Sequence, residues 1–281
     1  MTPRPVRLLA STALITLLAA SLGGCLTPSF DGPGAPSGGG LLGNNKAADA
    51  KTPATEEEWR SEAKVTGERY RKNPGDVDAA VRYAQSLRKT NQRAQAVAVL
   101  QQASIRNPQS QKILGAYGRA LADIGDFEQA LDVLGRAHSP DQPDWRILSA
   151  QGAVLDQMGR FDEARRYYDT ALKIVPEEPS VLSNLGLSYA LSKQLPKAEA
   201  ALRRASINAA GDRRIRQNLA LVVGLQGRFQ EAEQIVGADL PSAEAASNVA
   251  YLKQMIDEQR SQQGTPRARP RAQTIGLADP S

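Results

Sequence analysis

The sequence has almost none of the residues from which metal and redox sites are built. Its 281 residues include one cysteine, Cys25, and one histidine, His138. One cysteine cannot form a disulfide within the chain, and one histidine without further cysteines offers no usual zinc or iron ligand set. Because His138 follows an expected helix end, we interpret it as a solvated cation near the helix dipole. We therefore expect no metal and no cofactor.

Catalytic and phosphate-binding motifs are also missing. The sequence shows no nucleophile–base pair, glycine-rich phosphate loop or carboxylate pair in a supporting context, so we expect no catalytic residues, no small-molecule substrate and no enzyme. Aromatic residues make up only 5% of the chain. The net charge of +5 comes largely from arginines near the two ends: Arg4, Arg7, Arg260, Arg267, Arg269 and Arg271. Without a basic stripe interleaved with aromatic residues, we expect no nucleic-acid partner.

Long apolar runs are absent except near the start. The run over residues 8–22 has 15 residues, fewer than the about 20 that a transmembrane helix needs. It follows Arg4 and Arg7 and ends in small residues. This order is typical of a secretory signal peptide, which we assign to residues 1–24.

The exit sequence Leu22-Gly23-Gly24-Cys25 resembles the bacterial lipobox. The resemblance implies that Cys25 becomes the N-terminus and carries a diacylglyceryl thioether and an N-acyl chain. More than one acyl chain gives stable anchoring, because each buried methylene contributes about 0.8 kcal/mol. The alternative is an ordinary cleaved signal with an incidental cysteine. Leu26 stands where lipoproteins kept in the inner membrane tend to have aspartate, which implies an outer-membrane anchor facing the periplasm.

The larger part of the chain repeats a pattern that is clearest over residues 145–178. Apolar and small residues at steps of three and four indicate two amphipathic helices. Gly152 and Ala164 are small where these helices would cross closely, and Gly159 lies where a helix ends in a left-handed residue. A single pair of helices cannot bury such faces, so we expect stacked copies.

Copies recur every 34 residues in five blocks, which begin at Val77, Gln111, Trp145, Pro179 and Arg213. The small residue on the second helix is always alanine: Ala96, Ala130, Ala164, Ala198 and Ala232. The turn position holds Gly125, Gly159 and Gly227, with Asn91 and Lys193 in the other two blocks. A second alanine position of the second helix holds Ala103, Ala137, Ala171 and Ala205 in the first four blocks. The departures from the pattern are Gln151 at a usually apolar place, Lys193 for glycine, and Asp239 at this second alanine position.

This pattern resembles the tetratricopeptide (TPR) consensus over residues 77–244. The resemblance implies an all-α fold, a TPR superhelical solenoid of about five 34-residue helix–turn–helix repeats with a leading half-repeat and a C-terminal capping helix. We assign the repeats to residues 77–110, 111–144, 145–178, 179–212 and 213–244. The flanking segments are a lipidated N-terminus with a flexible Gly/Pro linker (25–55), a capping half-repeat helix (56–76), a C-terminal capping helix (245–260) and a disordered basic tail (261–281).

In TPR stacks the first helices line a concave groove, and the resemblance implies which side chains face it. In the first block several are basic, including Arg82, Arg88 and Lys89. In the last two blocks they form a candidate partner groove: Asn184, Leu187, Leu191, Arg214, Asn218, Leu221 and Leu225. Asparagine donates and accepts at once, which suits an extended peptide backbone, and exposed leucines suit an apolar partner segment. The alternative is that the leucines pack between neighbouring first helices and the asparagines hydrogen-bond within the stack.

The order of segments also resembles a narrower family. A lipobox and a Gly/Pro linker precede Tyr70-Arg71-Lys72-Asn73-Pro74 and the runs over residues 148–157, 182–191 and 216–222. Together these resemble the TadD-type lipoproteins of the tight-adherence (Flp) pilus machinery, over about residues 56–256. The resemblance implies an outer-membrane scaffold or pilotin whose partners are proteins of the pilus secretion machinery, above all the outer-membrane secretin. Two alternatives remain open: a general cell-envelope assembly scaffold, and a regulatory subunit of a periplasmic enzyme.

Overall fold

The computed structural model describes residues 55–139, 141–238 and 241–264, which form twelve α-helices. In chain order these are α1 (Glu56–Lys72), α2 (Val77–Lys89), α3 (Arg93–Arg106), α4 (Gln111–Asp123), α5 (Phe127–Gly135), α6 (Trp145–Gln157), α7 (Phe161–Ile174), α8 (Pro179–Leu191), α9 (Leu195–Asn208), α10 (Arg213–Leu225), α11 (Phe229–Gly237) and α12 (Ser242–Gly264). The predicted signal peptide, Cys25, the linker up to residue 54, and residues 265–281 of the predicted tail lie outside the described residues.

Helices α2 to α11 form five hairpins in one constant register. Their first helices begin at Val77, Gln111, Trp145, Pro179 and Arg213. Helix α1 precedes the first hairpin, and α12 packs against α11 and beside α10 at the other end. The predicted all-α fold, with five repeated hairpins and an extra helix at each end, is confirmed. Among the described helices, none is both long enough and apolar enough to cross a membrane.

Polar side chains fix the start of every first helix. The residue before each one accepts a hydrogen bond from the backbone N–H of the first turn, and these residues are Asp76, Ser110, Asp144, Glu178 and Asp212. Such a cap satisfies one of the N–H groups that a helix end leaves without a partner and contributes about 1 kcal/mol. Helix α1 starts with a capping box, in which Thr55 and Glu58 bond reciprocally.

The turn inside each hairpin requires a left-handed residue. All five turn residues have a positive φ, namely Asn91, Gly125, Gly159, Lys193 and Gly227. In the third hairpin the next residue, Arg160, donates its N–H to the Leu155 carbonyl at 2.9 Å, which closes the helix end. The sequence pattern therefore located this turn correctly even where lysine replaces glycine.

We expect Lys193→Gly to stabilise the protein. Lys193 holds a φ of 62°, which costs a residue with a Cβ about 1–2 kcal/mol; glycine's greater freedom in the unfolded chain offsets part of the gain. The expected net increase in the free energy of unfolding is about 0.5–1 kcal/mol. Urea denaturation followed by circular dichroism measures it. Gly159→Ala is the mirror control: it should destabilise through backbone strain alone, because nothing lies within 4 Å of the added Cβ. If the two changes shift stability in the same direction, the explanation is wrong.

Small residues let the two helices of each hairpin cross closely. A Cβ built on Gly152 would lie 2.6 Å from the ring of Tyr168, and one on Gly186 would lie 2.6 Å from Leu202. On the facing second helices, the five repeated alanines from Ala96 to Ala232, here called the alanine ladder, are all 0% exposed. Glycine and alanine thus recur at these positions because a larger side chain would collide with the partner helix.

Two parts of the chain differ from the simple repeat. Helices α5 and α11 end early, at Gly135 and Gly237, because glycine is a poor helix former. Helix α12 runs from Ser242 to Gly264, so it begins before and ends after the expected residues 245–260. Its buried residues Ala245 and Val249 face the stack, while much of its remaining surface is exposed, as a terminal helix requires.

Candidate functional site

The first helices line the inner face of the curved stack. Each of α2, α4, α6, α8 and α10 contacts the first helix of the next unit, whereas among the described residues the second helices of successive hairpins do not pack on one another to a similar extent. The first helices are therefore closer together, and the stack bends around them. The candidate groove residues lie on α8 and α10, two neighbouring helices of this inner face.

The two asparagines of the candidate groove link neighbouring hairpins. Asn184 donates from Nδ2 to Ser149 Oγ on α6 at 3.1 Å. Asn218 repeats this bond one hairpin later, to Ser183 Oγ on α8 at 3.2 Å. Asn184 is 6% exposed and Asn218 9% exposed. One half of each carboxamide thus belongs to the stack, as the alternative interpretation of the sequence proposed.

The four leucines of the candidate groove divide into two pairs. Leu187 and Leu221 are 8% and 7% exposed, so they belong mainly to the packing between first helices. Leu191 and Leu225, at the ends of the same helices, are half-buried. The apolar surface that remains available on this face is therefore smaller than the sequence pattern suggested, and Leu191 and Leu225 supply part of it.

Arg214 is the exposed cation of the candidate groove. Its guanidinium lies 3.3 Å from a carboxylate oxygen of Asp212, the residue that caps α10. The ion pair holds the side chain over the first turn of the helix. An exposed pair of this kind contributes little to stability, so Arg214 can exchange partners at low cost.

Ion pairs neutralise much of the N-terminal groove, which the sequence indicated to be basic. Arg82 donates to Glu62 of α1 at 2.7 Å. Arg88 pairs with Asp123, and Lys112 pairs with Asp78, each across two neighbouring first helices. The cations at these positions therefore serve helix stacking, and their charge is not simply available to an acidic partner. The sequence pattern missed this because the acidic partners lie up to 35 residues away along the chain.

A buried carboxylate joins the third and fourth hairpins at the end of α6. Asp156 accepts hydrogen bonds from Tyr168 Oη on α7 at 2.8 Å and from Ser188 Oγ on α8 at 2.7 Å. Burial raises the pKa of Asp156 to about 6, although both hydroxyls and the charge of Arg165 act to lower it. Burial also raises the pKa of Tyr168, which keeps its hydroxyl a donor. The sequence analysis did not anticipate this role of Asp156.

His138 and Gln151 form a second polar contact inside the stack. His138 is half-buried, and its Nε2 lies 3.2 Å from Oε1 of Gln151, a buried residue of α6. His138 is therefore less solvated than the sequence analysis expected. The pair also explains why glutamine occupies a usually apolar position of the repeat. Among the described residues, no group of three or more metal-binding side chains is placed to hold an ion.

Two family models match parts of the chain. A model described as tetratricopeptide repeat matches residues 149–213. A second, described as anaphase-promoting complex, cyclosome, subunit 3, matches residues 61–137. A comparison with curated proteins finds no match.

Several solved structures resemble this one at low sequence identity. PilW, described as a widely conserved type IV pilus biogenesis factor, has a TM-score of 0.60 and 18% identity over 69% of this chain and 91% of that chain. PilF of Pseudomonas aeruginosa has a TM-score of 0.53 and 16% identity over 66% and 97%. A chain of the APC/C hetero-tetramer Cut9–Hcn1 has a TM-score of 0.58 and 14% identity over 74% and 41%. At these identities the similarity concerns the fold.

Proposed function

The chain is a tetratricopeptide-repeat protein, and from that premise we propose that it is a lipid-anchored scaffold, or pilotin, for tight-adherence (Flp) pilus assembly. In this role its concave face holds a protein of the secretion machinery, with the outer-membrane secretin as the leading partner. The observation that carries the proposal is the order of segments, since a lipobox ending at Cys25 and a Gly/Pro linker precede the repeats. This order resembles the TadD-type lipoproteins.

The proposed location follows from Cys25 and Leu26. A diacylglyceryl and an N-acyl chain on Cys25 would anchor the protein stably. Leu26 in place of aspartate favours the outer membrane, with the repeats in the periplasm. A linker of about 30 residues reaches roughly 30 Å, so the stack could bind a partner away from the lipid surface.

Similarity to pilus proteins supports the proposed process without identifying the partner. PilW is described as a type IV pilus biogenesis factor, and PilW and PilF are each covered over more than nine-tenths of their own length. A stack of helical hairpins provides an extended surface for binding, which suits a protein that holds other proteins. The fold is generally non-enzymatic, in keeping with the lack of a catalytic motif.

Deletion of the gene tests the proposal directly. We expect loss of most secretin multimers from the outer-membrane fraction and loss of surface pili, both restored by the wild-type gene. Immunoblotting of unboiled membrane fractions and electron microscopy measure the two outcomes. Normal multimers and normal pili in the deletion strain would reject the proposal. Normal piliation together with co-purification of a periplasmic enzyme would instead favour the regulatory-subunit alternative.

Complementation with surface variants then tests the groove. Leu187 and Leu221 are unsuitable sites for such variants, because a polar or charged side chain at a buried position would destabilise the stack. We expect Leu191→Ser with Leu225→Ser to reduce co-purification of the secretin. Ile105→Ser with Ile207→Ser is the matched control, since these isoleucines lie on second helices and are 76% and 78% exposed. Equal co-purification by both double variants would place the partner elsewhere on the protein.

A further inference from the structure

Helix α3 lacks charge on its exposed side as well as on its buried side. Its buried side packs into the core through alanine, valine and leucine. Directly opposite, at steps of three and four residues, lies an exposed stripe that consists of Ala94, Ala98, Gln101 and Ile105. Ile105 is 76% exposed. The sequence of α3 contains no aspartate and no glutamate, so no acidic side chain of this helix borders the stripe.

The equivalent stripe of α7 shows the outer surface that this stack presents to water. Two repeats after the stripe of α3, the same four positions are all exposed and all charged, and they hold Asp162, Arg166, Asp169 and Lys173. A helix at a protein surface normally carries charged and polar residues on its outer side in this way. The uncharged stripe of α3 therefore indicates a surface that another molecule covers.

Three cations lie together at one end of this stripe. Helix α1 ends in Arg71 and Lys72, and α3 ends in Arg106. The two helix ends are close, because Tyr70 Oη of α1 donates to Gln102 Oε1 of α3 at 3.1 Å. Burial raises the pKa of Tyr70, and the charge of Arg106 acts to lower it. All three cations are exposed, and within the described part of the chain none of them belongs to an ion pair.

An uncharged stripe beside exposed cations is complementary to an anionic lipid surface. Apolar side chains enter the boundary between headgroups and acyl chains, while lysine and arginine bind the anionic headgroups. Each cation near such a surface strengthens binding about fivefold. Residues 26–54 separate the proposed anchor at Cys25 from Thr55, which precedes α1. A tether of this length keeps the first hairpin near the lipid, so a weak contact suffices.

We propose that the outer stripe of α3, together with Arg71, Lys72 and Arg106, docks on anionic headgroups of the membrane that carries the anchor. Helix α2 lies on the opposite side of the hairpin, so docking turns the inner face of this hairpin away from the bilayer. The inference rests on the proposed function in one respect, that Cys25 is acylated. Because detergent removes the bilayer, the contact does not enter the co-purification of the secretin from solubilised membranes.

A fluorescent label in the middle of the stripe tests the proposal. The purified, lipidated chain with Gln101→Cys is labelled with a thiol-reactive dye and bound to vesicles of phosphatidylcholine and phosphatidylglycerol that contain nitroxide-labelled phosphatidylcholine. Acylated Cys25 has no free thiol, so the dye marks position 101 alone. Asp169→Cys, at the equivalent position of α7, is the matched control. We expect the nitroxide lipid to quench most of the emission at position 101 and little at position 169.

Charge variants then assign the contact to the cations. Arg71→Gln with Arg106→Gln removes two of the three and is expected to weaken docking about thirtyfold, which abolishes most of the quenching at position 101. Vesicles of phosphatidylcholine alone should give the same loss with the unchanged cations. Quenching at position 101 that persists without phosphatidylglycerol would overturn the proposal.

The remaining outcomes separate this proposal from the proposed function. Equal quenching at positions 101 and 169 in chains that bind the vesicles would overturn the docking surface and leave the anchor in place. A label at position 101 that is shielded from aqueous iodide but not quenched by the nitroxide lipid would identify a protein as the cover, a second copy included, and would also overturn it. Dye on the wild-type chain, whose only cysteine is Cys25, would reject the lipid anchor and with it both proposals.

Discussion

Replacing Tyr168 with alanine is expected to lower the free energy of unfolding by about 3–5 kcal/mol, the range for removing a buried aromatic side chain. Tyr168 heads the fully buried side chains of the described residues when these are ranked by volume. Its ring fills the space that Gly152 leaves open on α6. Its hydroxyl donates to Asp156, so the truncation also deprives a buried carboxylate of one of its two hydroxyl donors. The cavity and the lost donor both lower the free energy of unfolding.

Two variants separate these contributions. Tyr168→Phe keeps the ring and removes the hydroxyl, and we expect it to cost about 1–3 kcal/mol, as for a hydrogen bond to a charged group. Tyr167→Ala removes a neighbouring, half-buried tyrosine and should cost clearly less than Tyr168→Ala. Urea denaturation monitored by circular dichroism measures all three. A loss at Tyr168→Ala no greater than that at Tyr167→Ala would contradict the packing described for the third hairpin.

The repeat made most of the fold predictable from the sequence. Gly152 and the alanine ladder had to be small for helices to cross, and Gly159 had to allow a positive φ. Both requirements are local and recur in every hairpin, so five copies reinforced one another. The same reasoning located Lys193 at a left-handed turn, against the preference of the residue itself. Steric constraints that repeat with the period of the hairpins can therefore be predicted from the sequence without knowledge of the tertiary contacts.

The candidate site was less predictable, because its polar contacts join different hairpins. Asn184 reaches Ser149, and Ser188 reaches Asp156, over 35 and 32 residues of sequence. Whether such a pair meets depends on how neighbouring helices are offset, and a difference of one residue would separate the partners. The family resemblance gave the position of each groove residue on its helix. It left open whether Leu187 packs between first helices, and it did not indicate that Arg88 is paired.

The protonation of Asp156 should make the stability of the stack depend on pH. In the folded chain, burial raises the pKa of Asp156 from 3.8 to about 6. Tyr168 and Arg165 face it from α7 and Ser188 from α8. Between pH about 4 and about 6 the unfolded chain releases this proton while the folded chain keeps it. Because the unfolded state then binds fewer protons, stability falls as pH rises through this window.

Above pH about 6 the folded chain carries the buried charge in full. For a pKa shift of this size, the charge lowers the free energy of unfolding by about 3 kcal/mol. Other carboxylates act oppositely at lower pH: a hydrogen bond from Arg228 holds the pKa of Glu199 at about 2. Their contribution cancels when two variants are compared at each pH. The contribution of Asp156 is therefore the part of the pH dependence that a change at this position removes.

We expect Asp156→Asn to remove this dependence, since its carboxamide does not titrate. The difference in unfolding free energy between the wild-type and Asp156→Asn chains should change by about 2.5 kcal/mol from pH 4 to pH 7.5, in favour of the variant at the higher pH. Ser188→Ala is the opposing control: it removes a hydrogen bond that lowers the pKa of Asp156, so it should cost more at pH 7.5 than at pH 4. A pH-independent difference in both comparisons would mean that Asp156 does not carry a buried charge. Its carboxylate would then have to reach solvent, and the joint between the third and fourth hairpins would be more open than its two hydroxyl contacts indicate.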